Sequence, residues 1–203
     1  MYLVDDDASV RKGLTRLLRS AGYEVEAFGS AAEFMRRPEH EGAACLVLDL
    51  SMPALSGSAL QAQMVDEGST LPIVFLSGHA DIEDSVRAMK LGAIDFFTKP
   101  VDEDELLAAV ARALAGHRDR LAQERAIRAV RDRLHTLTAR ELETAHWLVT
   151  GKLNKQIAAE LGIAEKTVKI HRARVMEKMG VSSIAELVRL LAPVGIEPAS
   201  REP

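Results

Sequence analysis

The chain has 203 residues, 47% of them hydrophobic and 28% charged, with a formal net charge of -4. That balance belongs to an ordinary globular protein, long enough for one large domain or two small ones with cores of their own. The single cysteine, Cys45, excludes an intrachain disulfide, and no apolar run approaches the roughly 18 residues of a membrane span. With no signal peptide after Met1, the expected location is the cytoplasm, without a membrane partner.

The charge is unevenly spread. Residues 1–115 carry 10 Lys/Arg against 19 Asp/Glu, residues 116–135 carry 6 against 3, and residues 136–203 carry 10 against 8. Within residues 150–180 there are 7 Lys/Arg and 3 Glu. An acidic front and a locally basic back predict two domains with different partners, the second of them anionic. The expected divisions are residues 1–115, a helical linker over 116–135, a second domain over 136–192, and a disordered tail over 193–203.

Residues 2–5 read as a brief apolar strand running into Asp5-Asp6-Asp7. Val10, Leu14, Leu17, Leu18 and Ala21 recur at helical spacing and close at Gly22. Tyr23 to Ala27 alternates as a strand, and Ser30 caps a helix through Arg36. Leu46-Val47-Leu48-Asp49 is an apolar run ending on a carboxylate before Pro53, as in a strand covered on both faces. A helix over 58–65, a strand over 72–76, a helix over 81–91 stopped by Gly92, and a strand over 94–98 follow. From Asp102 a helix buries Leu106, Leu107, Val110 and Leu114. This alternation predicts a doubly wound α/β domain with a five-stranded parallel sheet, whose ligand crevice lies beyond the carboxyl ends of the strands.

At those carboxyl ends stand Asp5, Asp6, Asp49, Ser77 and Lys99. Like charges 4 Å apart repel by about 4 kcal/mol at an effective dielectric near 20. A hard divalent cation relieves that repulsion, and Mg²⁺ suits a site of one or two carboxylates, phosphate and water. Lys99 adds a point cation and Ser77 a hydroxyl, so the set has the makings of phosphoryl transfer to a carboxylate nucleophile.

Asp5-Asp6, Asp49-Leu50-Ser51-Met52-Pro53, Ser56-Gly57, Ser77-Gly78-His79 and Phe96-Phe97-Thr98-Lys99-Pro100 together resemble the receiver domains of two-component response regulators. The resemblance implies that Asp49 accepts a phosphoryl group from a sensor histidine kinase. Mg²⁺ would be held by Asp6, Asp49 and the backbone carbonyl of Ser51, with Asp5 acting through water. Ser77 and Lys99 would bind phosphoryl oxygens, Phe96 would turn with activation, and the Lys99-Pro100 bond would be cis. Receivers of this kind assist their own phosphorylation and dephosphorylation and are not otherwise enzymes.

Between Glu103 and Leu137 there is no proline, and only Gly116 interrupts good helix formers. Apolar residues recur there in two offset registers, with His117 and Glu124 between them. The offset registers do not secure a continuous coiled coil over a solvated linker helix, and either way a helical spacer is expected rather than a floppy tether.

Thr138 and Glu141 form a capping-box pattern for a helix carrying Leu142, Ala145 and Leu148 inward, with Trp147 in the core. Helices over 154–161, 164–179 and 183–191 follow, the first two stopped by Gly162 and Gly180. Two short helices joined by Leu161-Gly162-Ile163 make a helix-turn-helix pattern, completing an all-α four-helix domain. Lys166, Lys169, Arg172 and Arg174 lie off the apolar stripe of the second helix, and no acid follows Lys166, Lys169 or Arg174 at i+4. They are therefore expected to be unpaired within the helix and available to phosphates.

Asn154-Lys155-Gln156-Ile157-Ala158 with Glu165-Lys166-Thr167-Val168-Lys169-Ile170-His171-Arg172 resembles the DNA-binding domain of LuxR/NarL-type regulators. By position, Lys169 and Ile170 would face base edges of double-stranded DNA. Asn154, Lys155, Lys166, Thr167, His171, Arg172 and Arg174 would make backbone or nearby contacts. Ala164 replaces the usual serine cap of the recognition helix. As a whole the chain resembles FixJ-type response regulators. That resemblance implies a DNA-binding transcriptional regulator which dimerises on phosphorylation, through the face of residues 81–91 and 94–98 and the helix over 183–191, with RNA polymerase as a further partner.

Two other readings compete. Asp5-Asp6-Asp7-Ala8-Ser9 fits the Asp-x-Asp-x-Ser of haloacid-dehalogenase-type phosphohydrolases, with Asp5 as nucleophile and Lys99 as their lysine. The chain could instead regulate DNA without phosphorylation, its first domain serving only as a dimeriser.

Overall fold

The computed structural model describes residues 1–38, 40, 42–78 and 82–195. The chain forms two compact units, Met1–Leu121 and Ala122–Pro203. Strands and helices alternate through the first: β1 (Tyr2–Val4), α1 (Ala8–Ser20), β2 (Glu26–Phe28), α2 (Ala31–Met35), β3 (Leu46–Asp49), α3 (Gly57–Asp66), β4 (Ile73–Ser77), α4 (Ile82–Lys90), β5 (Asp95–Thr98) and α5 (Glu103–His135). The five strands pair in parallel in the order β2-β1-β3-β4-β5. This is the doubly wound sheet that the alternation predicts.

Every residue of β1, β3 and β4 is buried, because helices cover both faces of the sheet. One core, with Val4, Phe34, Leu46, Leu48, Leu60 and Phe75, lies on one face; the other gathers Leu3, Leu18, Val47, Val74, Leu106 and Val110. Cys45 is buried there, and burial pushes its thiol up to about 12, so it stays a protonated apolar filler.

Side-chain caps start four of these helices, α5 among them, where Asp102 Oδ1 accepts from the Glu105 N–H. Asp7 accepts from Ser9 N and Val10 N, Ser30 from Glu33 N, and Ser56 from Ala59 N. β2 begins later than the alternation of Tyr23–Ala27 predicts. The Tyr23 N–H donates instead to Leu18 O, closing the end of α1, and β2 pairs only where β1 reaches it. The helix expected from Asp81 is α4, which begins at Ile82; Asp81 itself lies outside the described residues. α5 runs unbroken through Gly116 for 33 residues, and His117 on it is buried, its Nδ1 3.0 Å from the Ala44 N–H.

The second unit holds α6 (Ala139–Leu148), α7 (Asn154–Leu161), α8 (Glu165–Met179) and α9 (Ile184–Leu191). Its core includes Val130 from α5, Ala145, Leu148, Ile157, Val168, Val175, Met179, Leu187 and Leu191. The capping box at Thr138 and Glu141 forms as expected. Leu142, expected inside, is 36% exposed, and Glu141 is buried in its stead. Lys178 reaches Glu141 Oε2 at 2.7 Å and the Thr138 N–H donates to the same oxygen, so the buried carboxylate is paired with a cation and a backbone donor. Those bonds, the one from Lys178 first, hold Glu141 down to about 2.

Trp147, expected in the core, is half-buried, with the Lys152 ammonium 4.1 Å above its ring. Gly162 and Gly180 adopt left-handed φ and end α7 and α8. Beyond α9, Ala192–Val194 forms a short 3-10 turn; the rest of the expected disordered tail, residues 196–203, lies outside the described residues. Among the described residues no helix is long and apolar enough to cross a membrane.

Candidate functional site

β1 and β3 are neighbours, so the chain leaving each at its carboxyl end emerges side by side. This brings Asp5, Asp6 and Asp49 together, with one carboxylate oxygen from each within 4.8 Å of the others. Asp49 is 5% exposed and Asp5 fully buried, whereas Asp6 is exposed. The chain after β5 carries Lys99 into the cluster. Its ammonium stands 2.7 Å from Asp5 Oδ2 and 3.0 Å from Asp49 Oδ1.

The two partners of Lys99 are not equivalent. Asp5 has both oxygens engaged, Oδ1 by the Asp7 N–H at 2.9 Å and Oδ2 by Lys99, and its carbonyl accepts from Arg11 Nη1. Asp49 Oδ1 is buried and, despite the nearby ammonium, receives no aligned hydrogen bond. Burial pushes the Asp49 carboxyl above the usual range; the Lys99 cation pulls it back in part, and the charge of Asp5 adds to the rise. Burial draws Lys99 down, but the negative charges of Asp5 and Asp49 against it outweigh that, and its net shift is upward. The result is a buried carboxylate short of donors beside a firmly cationic lysine.

That orphaned oxygen tests whether the set fits a divalent cation. Three carboxylates crowd one spot where a single ammonium reaches two of them, and one buried oxygen lacks an aligned donor. An oxygen-seeking ion of charge two meets both needs. Asp5, with a donor on each oxygen and no exposure, suits an indirect role through water.

Ser77 ends β4 as a buried residue opposite Thr98 of β5, and its carbonyl accepts from the Lys99 N–H at 2.7 Å. The Lys99-Pro100 peptide is cis. Phe96 is half-buried, its ring centroid 6.3 Å from that of Phe75. Ser51 is exposed in the loop after β3. His79, part of the motif after β4, lies outside the described residues.

Two positions in this loop escaped the sequence reading as structural requirements. A Cβ at Gly57 would collide with the Asp49 carbonyl oxygen, so only glycine lets α3 begin against the end of β3. Ala54 takes a left-handed φ of 67°, unusual for a residue with a side chain. The Met-Pro-x-x-Ser-Gly string hinted at a tight turn, but not at which residue must be small.

In the second unit, α8 follows α7 across Gly162. Lys166, Lys169, Ile170 and Arg174 are exposed, while Thr167, His171 and Arg172 are half-buried. On α7, Lys155 is exposed and half-buried Asn154 presents Oδ1 3.5 Å from Arg172 Nη1. Neither Leu153 nor Ala164 supplies a side-chain cap, so the first N–H groups of α7 and α8 lack that partner. The expectation that Lys169 is unpaired is corrected: its ammonium lies 3.1 Å from Glu165 Oε1. The partner precedes Lys169 by four residues on the same helical face, not after it.

The family model of the response regulator receiver domain matches residues 1–111, and that of bacterial regulatory proteins of the luxR family matches residues 135–191. Nodulation protein W of Bradyrhizobium diazoefficiens is 44% identical over 97% of this chain and 86% of its own length. The transcriptional regulatory protein FixJ of the same organism is 37% identical over 97% of this chain and 96% of its own. A solved structure of the response regulator StyR superposes with a TM-score of 0.87 at 45% identity, covering 95% of this chain and 97% of that one. Both halves of the molecule, and the order in which they are joined, agree with these matches. The chain belongs to the two-component response regulators of FixJ type, in which a receiver domain is followed by a LuxR-type DNA-binding domain.

Proposed function

We propose that Asp49 is the phosphoacceptor of this response regulator, taking its phosphoryl group from a sensor histidine kinase. The observation that carries the reading is the buried Asp49 Oδ1, which lacks an aligned donor and lies 3.0 Å from Lys99. An oxygen of Asp49 attacks phosphorus, the new P–O bond forms as the P–N bond to the kinase histidine breaks, and the imidazole nitrogen leaves with a proton. Lys99 and the Ser77 hydroxyl stabilise the oxygens of the transferring group. Asp6, Asp49 and the Ser51 carbonyl hold Mg²⁺, with Asp5 acting through water. When bound, Mg²⁺ offsets the negative charge that gathers on the phosphoryl oxygens. Water returns the acyl phosphate to carboxylate and phosphate, so the receiver assists both its own phosphorylation and its own dephosphorylation.

Phosphorylation then favours the active form. A dianion on Asp49 draws Ser77 towards it and lets Phe96 turn inward beside Phe75. The exposed face of Ile82, Val86 and Met89 on α4, continued by Ile94, is where two receivers pair. α9, with Val188 exposed, pairs two DNA-binding domains over half-sites about 10 bp apart. New charge-assisted hydrogen bonds supply the few kcal/mol that such a shift requires. α8 enters the major groove, Lys169 and Ile170 facing bases, with Asn154, Lys155, Lys166, Thr167, His171, Arg172 and Arg174 at or near the backbone. The functional divisions are 1–115, 116–135 and 136–192. The protein acts in the cytoplasm, with RNA polymerase as a further partner.

The test is direct. Acetyl phosphate and Mg²⁺ add one phosphoryl mass to the intact protein, and Asp49→Asn abolishes the adduct. An adduct of equal yield on Asp49→Asn would sink the assignment.

A further inference from the structure

From the first turn to Val175, α8 presents five basic or potentially basic side chains, Lys166, Lys169, His171, Arg172 and Arg174, and one acid, Glu165. An acid on this surface needs a reason. DNA in any sequence carries a dense line of phosphates, and every carboxylate brought against it weakens the sequence-independent part of binding. Glu165 is also not buried for the sake of the fold: its side chain is 45% exposed and touches Lys169, itself 63% exposed, at 3.1 Å. An exposed pair of this kind adds little to helix stability.

We infer that Glu165 is a specificity-determining residue of the DNA-binding surface, acting as one unit with Lys169. The inference rests on the reading of α8 as the recognition helix. The pair presents a hydrogen-bond donor beside an acceptor. Major-groove base edges offer the complementary arrangement: guanine N7 and O6 accept, and the amino group of the cytosine paired with it donates. A base pair can therefore satisfy both members at once. A phosphate offers acceptors alone, so it satisfies Lys169 and is repelled by Glu165. Glu165 also narrows the orientations of a lysine side chain that would otherwise lose about 2 kcal/mol of rotamer freedom on docking. The uncapped start of α8, where Ala164 gives no side-chain hydrogen bond, would otherwise favour a phosphate at this end; Glu165 in the first turn occupies that field with its own charge.

The full-length protein, treated with beryllofluoride and Mg²⁺, is titrated onto two duplexes at several salt concentrations. One is selected by the wild-type protein from random DNA, the other a shuffled duplex of the same length and composition. Glu165→Gln keeps the shape and removes the charge. It should bind the shuffled duplex several-fold more tightly, steepen the salt slope by about one, and lower the ratio of selected to shuffled affinity about tenfold. In a Lys169→Ala background the same substitution should no longer change that ratio. If Glu165→Gln tightens both duplexes by one common factor, the residue is only a bulk charge and the inference fails. It fails equally if the change in ratio persists without Lys169. A wild-type protein that showed no preference for any duplex would overturn the DNA-binding reading itself, a result distinct from either of these. Unchanged helicity and thermal midpoint in Glu165→Gln confirm that the comparison is between folded proteins.

Discussion

The two units handle charge in opposite ways. In the receiver, three carboxylates gather at one spot, Lys99 reaches two of them, and Asp49 Oδ1 is buried without an aligned donor. In the DNA-binding unit the buried carboxylate of Glu141 is paired with Lys178 and the Thr138 N–H, while Lys166, Lys169 and Arg174 of α8 stand in solvent. A site that must react keeps an unsatisfied group and forgoes stability, as active centres commonly do.

Substitutions that invert either arrangement break the contrast. The largest effect is expected from Gly57→Ala, which drives a Cβ into the Asp49 carbonyl. It should destabilise the receiver by roughly 3 kcal/mol or more and misplace Asp49, measured by denaturant unfolding and by loss of the acetyl phosphate adduct. A variant as stable as wild type would show that α3 can start elsewhere.

Glu141→Gln removes the acid from the pair with Lys178. Lys178 is one-third exposed and recovers some hydration, so the loss in the DNA-binding unit should be about 2 kcal/mol at neutral pH. The pH dependence has a definite sign. The carboxyl is held at about 2 in the fold against an ordinary value of 4.5. Its contribution is therefore complete above about pH 4.5 and lost as pH falls from there towards 2. Thermal midpoints of wild type and Glu141→Gln should converge across that window; a constant gap would show that the ion pair is not the source.

Asp49→Asn should act in the opposite direction on stability. The buried carboxylate is held above its ordinary range, so its ionised form opposes folding at neutral pH, and the amide relieves this. Without Mg²⁺, Asp49→Asn should be more stable than wild type by about 1 kcal/mol. Added Mg²⁺ should raise the midpoint of wild type, and Asp49→Asn and Asp6→Ala should lose that rise. A wild type indifferent to Mg²⁺ would contradict the cluster as an ion site.

The smallest effect sharpens the comparison. Ala164→Ser supplies the missing cap of α8 and should stabilise the DNA-binding unit by about 1 kcal/mol or less, read from its thermal midpoint. It should also weaken DNA binding slightly if phosphates use those N–H groups.

Much of this was legible before any coordinates. Short continuous apolar runs located the strands and spacing near 3.6 residues the helices, because a strand covered on both faces is apolar throughout and a one-sided helix only along one stripe. Asp5, Asp6, Asp49, Ser77 and Lys99 could be collected because parallel strands all end at one edge of the sheet. Local chemistry, such as the Thr138–Glu141 box and the Gly162 and Gly180 stops, was likewise written in short range.

What the chain order could not convey was partnership across distance or against the direction of reading. Whether Lys99 would saturate Asp5 or Asp49 depends on ångström differences between the ends of three strands. That Glu141 rather than Leu142 faces inward follows from Lys178, 37 residues away, which turns a buried charge from a liability into a satisfied group. The need for glycine at position 57 arises only where α3 meets the backbone of β3, a contact between atoms common to every residue. Pattern determined which elements form and which chemical groups reach the edge of the sheet; packing alone decided which of those groups are satisfied and which are left able to act.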